Sequence, residues 1–160
     1  MKKVLFTFAA MIFMAACGNK QTVAPAEGDE ANNEVPFEVA KNYFFKNNQE
    51  IPSSSKITTA EEFGKLFGMA TTMGEDGKPT EIDFTKQFVL AIVLPVTNLA
   101  TEITPVRVEE QGDTLYYYYD AKTGEAQSYS TQPMSLIILD RKYADKQVVT
   151  INEQTKDLKQ

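Results

Sequence analysis

Phe88 to Leu94, inside "QFVLAIVLP" (residues 87–95), form an unbroken apolar run of strand length near the middle of the chain. Side chains alternate between the two faces of a strand, so a run with no polar alternation needs cover on both. The segment is therefore expected as a central strand, and the rest of the fold must be arranged around it.

The neighbouring patterns supply the other elements. "FEVAKNYFF" (37–45) is rich in aromatic and branched residues and predicts a strand, ended by the turn-prone "KNNQEIPSSS". In "ITTAEEFGKLFG", Thr59 and Glu62 have capping-box spacing, and Phe63, Leu66 and Phe67 share one helical face. A short helix over about residues 60–67 follows, with Gly68 as its stop and Gly64 as a weak point that tertiary packing must offset. "MATTMGEDGKPTEID" reads as a loop. "TEITPVRVEEQGDTLYYYYD" predicts two strands about a Gln111-Gly112-Asp113 turn, with Pro105 at a bulge or an edge. "EAQSYST", "MSLIILDR" and "KQVVTINE" close the series. About six strands and a single early helix predict one α+β domain built on a mainly antiparallel sheet.

Residue types that are missing limit the chemistry. The chain has no histidine and no tryptophan, and its one cysteine is Cys17. An intrachain disulfide, a Ser-His or Cys-His nucleophile and a zinc site of the usual Cys/His kind are all excluded. Carboxylate chemistry, a Ser-Lys pair or no catalysis remain, and no catalysis is the expectation. The formal charge is −6, and −8 once residues 1–16 with their two lysines are set aside. Such an acidic chain has no basic face for phosphates, so a nucleic-acid partner is excluded. No metal and no cofactor are expected.

The start of the chain has its own order: Lys2 and Lys3, an 11-residue apolar stretch from Val4 to Met14, then the small pair Ala15 and Ala16. A basic start, an apolar middle and a small-residue cleavage point describe a secretory signal, and a spanning helix would need about 20 residues. Met14-Ala15-Ala16-Cys17 resembles the lipobox of bacterial lipoproteins. That resemblance implies cleavage before Cys17 and lipid on its thiol and amine, and two or more acyl chains hold a protein stably at a bilayer. Residues 1–16 are then a signal peptide. Residues 17–36, polar, proline-containing and acidic, form a tether. The domain occupies residues 37–153 and a polar tail residues 154–160. Gly18 stands where some bacteria place an inner-membrane retention aspartate, so the outer membrane is the expected location, with both of its sides left open.

Four constellations invite chemistry. Ser53-Ser54-Ser55-Lys56 fits S-x-x-K, and Lys122-Thr123-Gly124 fits K-T-G, both known from penicillin-recognising serine enzymes. No S-D-N accompanies them, and Lys122-Thr123-Gly124 is expected in a hairpin turn, so coincidence is the reading taken. Glu75, Asp76 and Glu81 crowd one loop, but without the alternating spacing of a calcium loop they read as a solvated turn. In "LYYYYD", Leu115, Tyr117 and Tyr119 point one way and Tyr116 and Tyr118 the other. If Tyr117 and Tyr119 form an exposed row, broad rings with hydroxyls suit a protein partner or a glycan.

Taken in order, "KITTAEEFGKLFG", "EIDFTKQFVLAIVLP", "TEITPVRVEEQGDTLYYYYD" and "YSTQPMSLIIL" resemble the C-terminal domain family of protease complex B-subunit lipoproteins. Asp83, Phe84, Lys86, Val89, Ala91 and Pro133 carry the match. "VTNLATEI" replaces the family's Gly-Gly-containing segment. The chain is also similar to small envelope lipoproteins of anaerobic gut-type bacteria. The resemblance implies a non-enzymatic, lipid-anchored envelope module that binds or stabilises a protein partner, such as an envelope protease. A glycan-binding surface lipoprotein using Tyr117 and Tyr119 is the alternative. Asp83 is expected to cap the turn after it, and Phe84 to anchor that turn in the core.

Overall fold

The computed structural model describes residues 33–71, 74 and 77–155. Ala15, Ala16, Cys17 and the tether up to residue 32 lie outside the described residues, as do Glu75, Asp76 and residues 156–160.

One two-stranded ribbon organises the domain. Its first arm is β5 (Gln87–Val93) followed by β6 (Thr97–Gln111), and its second is β7 (Thr114–Thr131) followed by β8 (Met134–Asp140). β5 pairs with β8 from Gln87↔Asp140 to Val93↔Met134, β6 pairs with β7, and the Leu94 amide donates to the Pro133 carbonyl at 2.9 Å between the two ladders. The tip is the two-residue Gly112-Asp113 connection, with Gly112 at φ 60°, a conformation open to glycine at no steric cost. The ribbon folds back on itself. Its β5–β8 end becomes the middle of a four-stranded sheet of order β1-β8-β5-β3, with β1 at Glu38–Ala40 and β3 at Lys56–Ile57. Its tip end becomes a three-stranded sheet of order β6-β7-β9, in which β9 (Gln147–Asn152) runs parallel to β7.

The apolar run is explained by what covers it. Phe88, Leu90 and Ile92 face a core shared with Ile137, Leu139, Val108, Leu115 and Tyr117, which lies between the two sheets. Val89 and Ala91 face the other way, onto a second core with Leu136, Ile138, Phe45, Ile57, Phe63 and Phe67. Both faces of β5 are thus buried, as the sequence predicts. Each fully buried side chain of this kind contributes about 1.5–3 kcal/mol. The fold is α+β and mostly antiparallel, as expected.

Helix α1 (Ala60–Leu66) covers the second core with Phe63 as its buried residue, and Thr59 caps it by accepting from the Glu62 amide at 3.2 Å. Seven residues including a glycine would not hold as an isolated helix, so burial of Phe63 fixes it. Gly68 is not its stop. The helix passes directly into β4 (Phe67–Met69), where Gly68 pairs with Phe44 of β2 (Tyr43–Phe45) and a Cβ would stand 2.4 Å from the Phe44 ring. The missing side chain makes room for that ring.

Three other expectations are corrected. The single strand over 37–45 divides into β1 and β2 because Asn42 takes a positive φ of 62°, a conformation asparagine tolerates and a strand cannot continue through. "EAQSYST" is no separate strand but the far half of β7. The tether ends before residue 36: Val35 is 1% exposed in the first core, its amide donates to the Val108 carbonyl at 2.7 Å, and the Asn33 carbonyl accepts from the Glu110 amide at 2.7 Å. A lone valine beside a proline in polar chain carries no periodic signal, and only β6 as a neighbour gives it a place.

Candidate functional site

The tyrosine row is placed inside the molecule. Leu115, Tyr117 and Tyr119 face the core between the sheets; Tyr117 is 0% exposed, and Tyr119 is half-buried against the same cluster, with ring centroids 6.0 Å apart. The expectation that Tyr117 and Tyr119 form an exposed binding face is therefore corrected, and the glycan alternative loses its surface. The Tyr117 hydroxyl has no hydrogen-bond partner at bonding geometry, and burial pushes its phenol well above the ordinary value against a weaker opposing pull from Ser135.

The opposite row is covered too. The Arg107 guanidinium lies 3.8 Å from the Tyr118 ring centroid, bonds Glu109 at 2.6 Å and Glu153 at 2.7 Å, and leaves Tyr118 only 7% exposed. The bond from Arg107 holds the Glu109 carboxyl below the usual carboxylate range, against the pull of partial burial. An unfolded glutamate titrates near about 4.3. The pair therefore stabilises the fold above that pH, and its contribution is lost as pH falls through the lower folded value. Glu109→Gln should flatten the acid limb of the stability profile, removing about 1 kcal/mol of the wild-type difference between neutral and strongly acidic pH. Urea unfolding across that range measures it.

The two serine-enzyme fragments do not meet. Ser53, Ser54, Ser55 and Lys56 line a cavity of about 530 Å³ beside Tyr119 and Val148. Lys56 Nζ donates to the carbonyls of Ala144 at 2.7 Å and Lys146 at 2.8 Å, committing it to a structural brace. Lys122, Thr123 and Gly124 are not in a turn but within β7, and they line a different concavity. Gly124 sits at a register shift, where a Cβ would stand 3.2 Å from the Ala100 carbonyl oxygen. Of the acidic loop, Glu81 alone of the three is described, and no group able to hold a metal ion is found among the described residues.

Two surfaces are built that the sequence does not announce. The first is the bend of the ribbon, residues 97–104 with 120–131. Among the described residues no third strand pairs with either edge there. Register shifts bow β7 outward, since Thr97↔Thr131 gives way to Leu99↔Ala126, and a shallow concavity of about 460 Å³ opens between Glu102, Lys122, Gln127 and Tyr129. Val96 is 66%, Tyr129 58% and Leu99 37% exposed.

The second is a cavity of about 720 Å³ between α1 and residues 78–84, on the far side of the central sheet. Its floor is a ring cluster: Tyr43 meets Phe63 edge-on at 5.1 Å, Phe63 stacks on Phe67 at 5.0 Å, and Phe84 lies 5.6 Å from Phe63. Asp83 and Phe84 act as predicted. Asp83 accepts from the Thr85 amide at 3.0 Å and from its hydroxyl, bonds that hold the Asp83 carboxyl below its usual range, while Phe84 packs against the second core. Arg141 ties the two walls together by donating to the carbonyls of Thr58 at 2.9 Å and Phe84 at 2.7 Å. Gly64 stands out in the sequence only as a weak point in the helix, and nothing there brings it to one cavity with Tyr43.

Comparison of the chain with protein-family models, with curated proteins and with solved structures finds no match.

Proposed function

We propose that this protein is a non-enzymatic, lipid-anchored module of the bacterial outer membrane that docks an envelope protein, in the manner the protease-complex resemblance implies. Cys17 carries the lipid, and the ribbon bend receives the partner. The observation that supports docking there is the pair of unpaired strand edges flanked by Val96, Leu99 and Tyr129. Exposed edges offer main-chain hydrogen bonds to an added strand, and tyrosine supplies contact area at small entropic cost.

Affinity isolation of the mature, lipidated protein from envelopes tests both parts. The expected result is one co-purifying protein, lost with Leu99→Ser/Tyr129→Ser and retained with substitutions at the exposed Lys142. Cys17→Ala should accumulate as an unlipidated precursor. A Cys17→Ala chain processed normally and released in soluble form would overturn the anchor, and identical recovery with the ribbon variant would overturn the docking surface.

A further inference from the structure

We propose that the cavity between α1 and residues 78–84 binds a small, neutral lipophilic molecule with a body of one or two rings. Its volume of about 720 Å³ falls within the range of about 300–1,000 Å³ typical of small-molecule sites. Arg141 bridges the chain entering α1 and the Phe84 turn, so these two sides of the cavity are tied together by hydrogen bonds within the fold. Sides held in this way cost a ligand less in ordering.

Gly64 leaves the cavity open. It lines the cavity, is exposed, and a Cβ there would meet nothing within 4 Å. Its φ is not positive, so the backbone does not require glycine, and the Lys46 ammonium bonds its carbonyl, which any residue would supply. A glycine inside a helix costs about 1 kcal/mol relative to alanine. The fold gains no contact in return, whereas the missing side chain leaves the approach to the cavity open.

The wall chemistry selects a neutral guest. The Tyr43 hydroxyl already donates to the Thr80 carbonyl at 2.6 Å, and the Asp83 carboxylate is taken by Thr85 and Lys86. Lys78 and Glu81 stand on the lining with opposite charges and favour neither sign. What remains to touch a ligand is Phe63, Phe67, Phe84, Ile82 and Met69. Rings already packed at 5.0–5.6 Å extend readily to a further aromatic ring at the same spacing.

The test is photoaffinity labelling of the mature lipidated protein in phospholipid nanodiscs with a neutral naphthyl diazirine, followed by mapping of the adducts. Labelling is expected to concentrate on the peptides holding Phe63, Met69 and Phe84 and to be competed by excess naphthalene. Gly64→Leu, which fills the space, should reduce it about tenfold, corresponding to about 1.4 kcal/mol, and Gly64→Ala should give an intermediate loss. Thermal unfolding no lower than wild type in Gly64→Ala would show that the loss is not unfolding. Labelling spread over the exposed Phe44 and the rest of the surface, undiminished labelling in both variants, or occupancy of these positions only by another protein would overturn the proposal. The ribbon bend shares no lining residue with this cavity, so this outcome is independent of the docking experiment.

Discussion

Tyr117→Ala is expected to destabilise the domain by about 3–5 kcal/mol, whereas Tyr117→Phe should leave stability unchanged or raise it by about 1 kcal/mol. The ring is fully buried between the two sheets among Phe88, Leu90, Val108 and Leu115, so truncation opens a cavity where two layers meet. The hydroxyl is another matter. It is buried without a bonding partner, and removing an unsatisfied group recovers the cost of having taken it from water. Denaturant unfolding separates the two: the Tyr117→Ala midpoint falls, the Tyr117→Phe midpoint holds or rises, and the slopes stay unchanged. If Tyr117 served a ligand at the surface instead, both substitutions would fall within about 0.5 kcal/mol of wild type.

Val35→Asp should cost about 3–5 kcal/mol, the scale for an uncompensated buried charge. Val35 enters the core from a short extended segment on the β6 edge, held by the amide and carbonyl bonds to Val108 and Glu110. The neighbouring, exposed Pro36 makes a sharp control, and Pro36→Asp should stay within about 1 kcal/mol. A tether reaching residue 36 would be indifferent to both changes.

These two residues show where sequence reasoning succeeds and where it stops. The α+β class, the capped helix at Thr59, the Gly112-Asp113 turn and the doubly buried β5 were legible because each rests on local pattern: cap spacing, turn chemistry or an unbroken apolar run. Pro105 was legible as a bulge for the same reason, and the register shifts between it and Arg107. Nothing local records that the ribbon folds back on itself. That fold-back buries the Tyr117 row, which alternation alone left free to be either face. It also gives Val35 a neighbour and turns the Lys122-Thr123-Gly124 fragment from an expected turn into mid-strand. The aromatic cavity was not legible: Gly64 reads only as a weak point in the helix and Phe84 only as a core anchor, which it is. Its remaining wall, Tyr43, arrives only because Asn42 breaks the first strand.

Cross-linking in intact cells from a photoreactive residue at position 129 reads anchoring and docking together. One discrete adduct with an envelope protein is expected, which disappears in Cys17→Ala and is not formed from position 142. No adduct from position 129, or the same adduct from position 142 and in Cys17→Ala, would contradict it.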